Sequence, residues 1–253
     1  EAFALINSDD RNGSVMVQNS SAEVHRYSVG NMAEFRIKIV ESTIEGSLIE
    51  INGTQVWTRF IGKHNAYNIG AVYGAATLLG GKKEEILTGL SSLEAVPGRL
   101  EYIKGGNGIT VVIDYAHTPD ALENILRTLR DISGGNRLIA LFGCGGNRDK
   151  TKRPEMGQAC AKYADRLVVT SDNPRYENPL EIIEDIKKGL DKGAMSKSIF
   201  IPDRAEAIRT AILTAPKGSI VLLAGKGHED YQIINGIKCH FDDKEEAIKI
   251  LRE

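Results

Sequence analysis

The chain has 253 residues, of which 42% are hydrophobic and 26% are charged, a composition close to that of a soluble globular protein. This composition excludes a disordered, collagen-like or disulfide-scaffold protein, and no apolar run approaches the ~18 residues that a membrane-spanning helix needs. The 32 basic and 34 acidic residues give a net charge of −2, which argues against nucleic-acid binding over the whole surface.

The cysteines and the first residues indicate the cellular setting. Cys144, Cys160 and Cys239 are odd in number and form no CxxC pair, so we expect reduced thiols in a cytoplasmic protein without a structural metal site. The chain begins with Glu-Ala-Phe, and no signal peptide precedes the first apolar segment. We therefore expect a fragment of a longer cytoplasmic protein.

The first part of the chain is typical of an antiparallel meander. Apolar and polar residues alternate over 35–39, as in a half-buried strand. Asn52-Gly53 separates the strand-like runs 48–51 and 55–60, and this dipeptide is the strongest short hairpin signal because both residues tolerate positive φ. Antiparallel strands are therefore predicted here.

Two helices are predicted next. The alanine-rich segment 65–79 carries apolar residues at helical spacing, among them Val72 and Leu79, and Gly80 ends it. A second helix follows over 83–93. We expect both helices to bury one apolar face against the strands.

From about residue 105 onward, strands and helices alternate. Apolar runs typical of strands covered on both faces lie at 109–113, 138–142, 166–170 and 219–223. Thr118-Pro119 and Asn178-Pro179 each mark a helix start, with a capping side chain followed by proline. Repeated βα units predict an α/β domain with a mostly parallel, doubly wound sheet.

Polar loops follow each of the predicted parallel strands. They span residues 114–120, 143–154, 171–175 and 224–229. Ligands of such sheets bind beyond the carboxyl ends of the strands. We therefore expect these loops to face one crevice that offers cations, carboxylates, a histidine and glycine-rich backbone.

Two glycine-bearing loops have features of phosphate sites. Loop 143–146 reads Gly-Cys-Gly-Gly and leads into a basic run, so it is either a grip on a phosphate or carboxylate or an ordinary surface turn. It lacks the third glycine of a dinucleotide fingerprint. Lys226 lies between two glycines, yet no Gly-Lys pair of the chain is followed by Ser or Thr, so no Walker A loop is present.

Single side chains in these segments have a functional and a structural interpretation. Arg175 presents a planar guanidinium suited to a carboxylate, and Glu229 offers a partner for an ammonium group. Asn65 and Asn68 share a helix face, where their amides could read an adenine edge or cap the helix. Arg99 follows Pro-Gly and is either part of a linker turn or a hinge residue near a nucleotide.

Taken together, these segments resemble the Mur ligase family of peptidoglycan synthesis, and within it the members that add the third residue of the stem peptide. The matching stretches are GKHNAYNIGAV, VPGRLE, VIDYAHTPDALEN, FGCGGNRDKTKRPEMG, TSDNPR and AGKGHEDYQ, which cover roughly residues 60–235 in order. Each stretch alone is weak evidence for this family, whereas the combination of all six in this order is highly specific for it.

The resemblance implies a domain layout and two sets of binding residues. It implies the rear part of the family's central ATP-binding domain over 1–104, with antiparallel strands plus helices, and a Rossmann-like C-terminal domain over 105–253. The residues that it implies for meso-diaminopimelate are Arg148, Asp172, Asn173, Pro174, Arg175, Gly225 and Glu229. Those that it implies for the nucleotide are Asn65, Asn68, Arg99, Asp114 and His117.

The resemblance also implies an ATP-dependent ligase. Such a ligase converts the carboxylate of a UDP-N-acetylmuramoyl dipeptide to an acyl phosphate, which the amine of meso-diaminopimelate attacks. The family's phosphate loop and main Mg²⁺ ligands lie upstream of the matching stretches. We therefore expect ATP and Mg²⁺ as cofactors, no metal ligand and no identified catalytic residue in this chain, and an inactive fragment.

Two other functions stay open on the sequence. One is an amino-acid-binding module or inactive homologue that keeps the pocket and performs no chemistry. The other is a nucleotide-dependent oxidoreductase that binds NAD through the glycine loop at 143–146. A Gly-Lys-Thr loop upstream of Glu1 would favour the ligase, and NAD(H) binding would favour the oxidoreductase.

Overall fold

The computed structural model describes residues 2–253, which divide into two compact units before and after the Ala95–Val96 bond. No helix in this described part is long and apolar enough to cross a membrane. The boundary between the units lies closer to the N-terminus than the boundary expected after residue 104. The reason is that strand Glu101–Lys104 pairs within the sheet of the second unit. The assignment of the two parts to domains of the family stays a prediction.

The first unit is a mixed five-stranded sheet with helices packed on it. Its elements are β1 (Phe3–Asn7), α1 (Gly13–Met16), β2 (Glu23–Ser28), β3 (Phe35–Thr43), β4 (Gly46–Ile51), β5 (Thr54–Thr58), α2 (Lys63–Leu78) and α3 (Lys83–Ser92). The strands lie in the order β1-β2-β3-β4-β5.

The antiparallel meander is confirmed for only part of this sheet. β3, β4 and β5 are antiparallel, with Asn52 and Gly53 at positive φ in the predicted turn. The prediction was wrong for the other strands, because β1 pairs with β2, and β2 with β3, in parallel. The sequence analysis missed β2, whose residues are mostly polar and show no regular alternation of buried side chains.

Helix α2 buries Ile69 of the predicted apolar stripe and also packs on the sheet through two glycines. Gly70 and Gly74 are buried, and a Cβ atom on Gly70 would collide with Ile37. Val72 and Leu79, which were predicted to be buried, are exposed. The missing side chains let the helix approach the sheet closely at these two positions.

The second unit contains the predicted doubly wound sheet. Its elements are β6 (Glu101–Lys104), β7 (Thr110–Asp114), α4 (Pro119–Ile132), β8 (Leu138–Cys144), α5 (Lys152–Tyr163), β9 (Arg166–Ser171), α6 (Pro179–Lys187), α7 (Lys192–Ser196), β10 (Ser198–Phe200), α8 (Arg204–Leu213), β11 (Ile220–Ala224), β12 (Tyr231–Ile234), β13 (Ile237–His240) and α9 (Asp243–Leu251). The six-stranded sheet has the order β10-β9-β8-β11-β7-β6, and all of its pairs are parallel except β6 with β7.

The predicted helix starts of this unit are confirmed. The Thr118 hydroxyl accepts a hydrogen bond from the Ala121 N–H at 3.3 Å, and Asn178 accepts one from the Leu180 N–H at 3.0 Å. In both helices proline occupies the first turn. These caps begin α4 and α6 directly after the loops that follow β7 and β9.

The sheet topology brings four loops together. β11 lies between β7 and β8, and β9 lies on the other side of β8. Because these strands are parallel and buried, their carboxyl ends share one edge of the sheet, where Asp114, Cys144, Ser171 and Ala224 are the last residues.

Candidate functional site

A cleft of about 390 Å³ lies at this edge of the second unit. The predicted site residues that line it are His117, Arg148, Asp172, Asn173, Arg175, Gly225 and Glu229. Pro174 does not line the cleft but is buried beneath it, where its carbonyl oxygen accepts a hydrogen bond from the Glu177 N–H. The structure thus brings together residues from all four loops.

Gly145 is the point at which charged side chains of opposite sign converge. A Cβ atom at this position would lie 3.0 Å from Arg175 Nη1, 3.7 Å from Arg148 Cγ and 3.9 Å from Asp172 Oδ2. Glycine is needed here because any side chain would occupy the space between these groups. The Arg175 guanidinium, the Asp172 carboxylate and the aliphatic part of Arg148 therefore surround the same small volume.

Arg175 is held in place by its backbone and by its side chain. Its φ is +55°, and its N–H donates a hydrogen bond to the Ile233 carbonyl oxygen at 2.9 Å. Its Nη1 donates to the Gly146 carbonyl oxygen at 2.8 Å. These contacts keep the guanidinium at the cleft, where a planar fork of donors suits a carboxylate.

Asn173 and Glu229 form the opposite, acidic side of the cleft together with Asp172. Asn173 Oδ1 accepts a hydrogen bond from the Ile233 N–H at 3.0 Å, and Nδ2 donates to Glu229 Oε2 at 2.9 Å. A backbone N–H can only donate and a carboxylate can only accept, so these partners determine the orientation of the Asn173 amide. The buried amide thereby fixes the position of the Glu229 carboxylate.

A buried lysine lies directly behind this acidic side. Lys226 Nζ is 3.6 Å from Glu229 Oε2 and 3.7 Å from Asp172 Oδ1. Burial lowers the pKa of Lys226 and raises the pKa of Asp172, and the opposite charge of the other group opposes each shift. Asp172 Oδ1 is buried and has no hydrogen-bond partner within residues 2–253.

A second buried cation joins the ends of two strands beneath the cleft. Arg204 pairs with Asp243 through two hydrogen bonds, from Nε at 2.7 Å and from Nη2 at 2.6 Å. It also donates to the carbonyl oxygens of Ser171 and Ala224, each at 3.1 Å. The guanidinium therefore links the carboxyl ends of β9 and β11.

A third buried cation holds the loop after β8 against the loop after β9. Arg153 donates to both carboxylate oxygens of Glu177 at 3.0 Å and to Asp185 at 2.9 Å. Glu177 in turn accepts a hydrogen bond from the Asn147 N–H. The Arg153 guanidinium lowers the pKa of Glu177 to about 2, so the carboxylate is ionised at neutral pH.

The predicted nucleotide residues of the second unit lie at the β7 side. Asp114 accepts hydrogen bonds from the Leu100 N–H at 2.9 Å and the Ala116 N–H at 2.8 Å, so both of its oxygens order the local backbone. Exposed Arg99 lies over the Tyr115 ring at 5.3 Å, and the His117 ring contacts the same tyrosine. Arg99 is thus stacked on an aromatic side chain.

The other two predicted nucleotide residues lie in the first unit. Asn65 Nδ2 donates to the Ile61 carbonyl oxygen at 2.9 Å, and Asn68 Nδ2 donates to Asn65 Oδ1 at 3.3 Å. Neither caps the helix, because α2 begins at Lys63 with Gly62 as its N-cap residue. The two amides lie side by side on the first turns of α2, as their spacing predicted.

Sequence reasoning missed the three buried cations. Arg153 and Lys226 were noted only as part of a basic run and of a glycine-flanked segment, and Arg204 was not singled out. Arginine and lysine are rarely buried, so their types alone predict exposure. A usable signal existed for Lys226, since it follows a buried strand directly and lies between two glycines.

The loop at 143–146 offers little for a dinucleotide. The Gly146 N–H donates to the Asn173 carbonyl oxygen at 2.9 Å and the Asn147 N–H donates to Glu177, so these amides already have acceptors within the protein. Burial raises the pKa of the Cys144 thiol to about 12, which makes it a poor nucleophile at neutral pH. The geometry therefore favours a grip on amino and carboxyl groups over pyrophosphate binding.

Two larger grooves lie elsewhere on the second unit, with volumes of about 670 and 650 Å³. Neither contains a predicted site residue. The first is lined by residues at the amino ends of β8, β9 and β10, the edge opposite the polar loops. The volume of a groove therefore does not identify the functional site in this protein. The charged groups that converge on the smaller cleft do.

The fold and the cleft define an α/β protein that presents paired guanidinium and carboxylate groups at the carboxyl ends of parallel strands. Residues 98–227 match the family model described as "Mur ligase, glutamate ligase domain". This match covers half of the chain, and the chain belongs to the Mur ligase family.

Relatives with assigned names agree with this family. The chain is 53% identical over 245 residues to the UDP-N-acetylmuramoyl-L-alanyl-D-glutamate–2,6-diaminopimelate ligase of Phocaeicola vulgatus, and 51% identical to the ligase of the same name from Bacteroides thetaiotaomicron. Each match covers 96% of this chain and 51% of the relative, so the chain spans about half the length of these proteins.

A solved structure confirms the fold. The structure of a UDP-N-acetylmuramoyl-L-alanyl-D-glutamate–2,6-diaminopimelate ligase superposes with a TM-score of 0.69 at 35% sequence identity. The match covers 99% of this chain and 53% of that structure. The mixed α/β architecture described above is therefore the architecture of this family.

Proposed function

We propose that this chain forms the amino-acid side of the active site in a ligase that adds meso-diaminopimelate to UDP-N-acetylmuramoyl-L-alanyl-D-glutamate. The observation that carries the proposal is the convergence of Arg148, Arg175, Asp172 and Glu229 on one cleft. Relatives at 53% and 51% identity bear the name of this ligase, which supports the same substrate class.

Meso-diaminopimelate has an ammonium and a carboxylate at each end, and the cleft offers partners for one such end. Arg175 and Arg148 bind its carboxylate, while Asp172 and Glu229 bind its ammonium group, with Asn173 and Gly225 lining the space between. Lysine lacks the distal carboxylate, so it would leave Arg175 without that partner. A site that leaves a polar group unpaired with one of two substrates discriminates strongly between them.

The reaction in this proposal uses ATP as a substrate. The γ-phosphoryl group moves to the acceptor carboxylate, the free amine of diaminopimelate attacks the acyl phosphate, and phosphate leaves as the amide forms. Within this proposal, the chain contacts ATP through Asn65, Asn68, Arg99, Asp114 and His117. ATP and nucleotide-linked precursors are found in the cytoplasm, which is where we place the reaction.

The proposal assigns no reaction step to Mg²⁺ on this chain. Residues 2–253 contain no group of three or more His, Cys, Asp or Glu side chains that could hold a metal ion. Mg²⁺ is usually held by one or two carboxylates together with substrate phosphates, so the proposal places the ion with the phosphates of ATP and not in a group of protein ligands. Ligands for Mg²⁺ and the phosphate loop belong, in this proposal, to the part of the protein outside this chain.

The test is steady-state kinetics of Arg175→Ala in the full-length protein. Removal of the guanidinium should raise the KM for meso-diaminopimelate roughly tenfold or more, because a charge-assisted carboxylate contact is lost, and should leave the KM for ATP nearly unchanged. Arg137→Ala is the matched control, since Arg137 precedes β8 at the opposite edge of the sheet and lines the other groove.

Three outcomes would contradict the proposal. Equal increases in the KM values for diaminopimelate and ATP would remove Arg175 from the amino-acid site. A full-length wild-type protein that binds diaminopimelate without forming an amide would favour the binding module. Tight NAD(H) binding in a fluorescence titration would instead favour the oxidoreductase.

A further inference from the structure

Lys226 carries a charge in a place that no substrate can reach. Its side chain is 0% exposed, and it is not among the residues that line the cleft. A buried ammonium group is costly unless several acceptors surround it. Because Lys226 lies behind the acidic side of the cleft, we expect it to affect the residues of that side.

The contacts of Lys226 connect the two acidic loops. Its ammonium group donates to the Tyr231 carbonyl oxygen and, at 3.4 Å, to Asn173 Oδ1. The second contact adds to the Ile233 N–H at the same oxygen, so Asn173 is forced to turn its NH₂ group toward Glu229. Without the ammonium group, the Ile233 N–H would be the one donor left at this oxygen, and the contact with Glu229 would lose the support of Lys226.

Lys226 also sets the charge of the acidic side. The Asp172 and Glu229 carboxylates carry two negative charges, and the nearby ammonium group neutralises one of them. One negative charge is left for the cleft. This single negative charge balances one ammonium group of an amino acid whose carboxylate is bound by the guanidinium groups.

We propose that Lys226 is a positioning residue, which orients Asn173 and Glu229 and balances part of the negative charge of the acidic side, so that this side binds one substrate ammonium group. It does not touch the substrate and acts only through the residues in front of it. This inference deepens the proposed function and rests on it, because diaminopimelate addition is its readout.

The other charged or titratable groups around Lys226 come from five elements or loops. They are Asp172 after β9, Arg204 on α8, Glu229 before β12, Tyr231 in β12 and Asp243 on α9. Arg204 is already committed to Asp243 through two hydrogen bonds. Lys226, in contrast, lies within 4 Å of both the Asp172 and the Glu229 carboxylates.

The test compares Lys226→Met with Lys226→Gln in the full-length ligase. Without the ammonium group, one of the paired carboxylates binds a proton more readily, and this proton competes with the substrate ammonium group. The KM for diaminopimelate should rise roughly tenfold, and the ratio of variant to wild-type KM should grow as the pH is lowered through the range in which the enzyme stays active. The KM values for ATP and the UDP-linked acceptor should stay within about twofold of wild type.

The two variants separate charge from hydrogen bonding. Lys226→Gln keeps a donor near Asn173 but no charge, so it should show the same pH trend with a smaller rise in KM. If Lys226→Met does not fold, the measurements on Lys226→Gln alone test the inference. Lys162→Met is the matched control, because Lys162 is an exposed lysine paired with Glu123.

A KM ratio that does not change with pH, or equal rises in all three KM values, would overturn the inference while leaving the proposed function intact. A wild-type full-length protein that does not use diaminopimelate would overturn the proposed function itself, and the inference with it.

Discussion

The two sides of the cleft are built differently. On the cationic side, Arg148 is exposed and Arg175 is half-buried, with its guanidinium hydrogen-bonded to one carbonyl oxygen of the loop. On the acidic side, Asn173 is buried, and Asp172 and Glu229 lie in front of the buried Lys226. The acidic side is therefore part of the packed interior, whereas the cationic side is part of the surface.

This difference separates binding from folding. Exposed charges contribute little to stability because water and salt screen them, while a buried charge that loses its partner is strongly destabilising. We expect substitutions beneath the acidic side to change the free energy of unfolding. Substitutions on the cationic side should change substrate affinity alone.

The largest effect is expected for Arg204→Met. The variant leaves Asp243 buried without its partner and frees the carbonyl oxygens of Ser171 and Ala224, so the free energy of unfolding should fall by about 3–5 kcal/mol. Urea unfolding followed by circular dichroism would measure it. Trp57 is the single tryptophan and lies in the first unit, so its fluorescence reports that unit separately.

Arg209→Met provides the control for this prediction. Arg209 lies on the same helix, but its ion pair with Glu253 is exposed, so the expected loss is about 0–1 kcal/mol. Equal losses for the two variants would show that burial of the cation does not distinguish the two positions.

An intermediate effect is expected at the Arg153–Glu177 contact. The pKa of Glu177 is lowered to about 2 from an ordinary value near 4.5, so its carboxylate stabilises the fold above pH 4.5, and this contribution is lost as the pH falls toward 2. Glu177→Gln should cost about 1–2 kcal/mol at pH 7, less than the full shift implies, because solvent screens this partly exposed group.

The measurement is the free energy of unfolding of wild type and Glu177→Gln between pH 7 and the acid limit of folding. The difference between the two proteins should shrink as the pH falls below 4.5. Glu155→Gln, an exposed position on α5, should show no such convergence. A constant difference for Glu177→Gln across this range would mean that the charge of Glu177 is not what stabilises the loops.

The smallest change in stability is expected for Arg148→Ala. Arg148 is exposed and lines the cleft, so the free energy of unfolding should stay within about 0.5 kcal/mol of wild type. The KM for meso-diaminopimelate in the full-length protein should still rise several-fold. A large loss of stability would contradict the proposed division between the two sides.

The local features of the second unit could be predicted from sequence. Runs of buried apolar residues predicted β7, β8, β9 and β11, and the Thr118-Pro119 and Asn178-Pro179 pairs predicted the starts of α4 and α6. These signals work because capping and burial on both faces depend on residues that are close in sequence. The shared edge of the four loops then followed from topology.

Features that depend on distant contacts could not be predicted. β10 has three residues and β6 four, too few to show a period, and the parallel pairing of β1 and β2 depends on partners far apart in sequence. The buried cations were missed for the same reason, since the burial of Arg204 depends on Asp243 on another helix. Gly145 likewise matters because Arg148, Asp172 and Arg175 surround it, and these residues meet only in the folded chain.

The left-handed backbone of Arg175 restricts how the specificity of this cleft can evolve or be redesigned. At a φ of +55°, a β-branched residue is strained before any ligand contact is considered, whereas asparagine, aspartate and glycine are tolerated. A change toward a different amino-acid substrate at this position is therefore more accessible through short polar residues than through valine, isoleucine or threonine. Libraries that sample position 175 should be weighted accordingly.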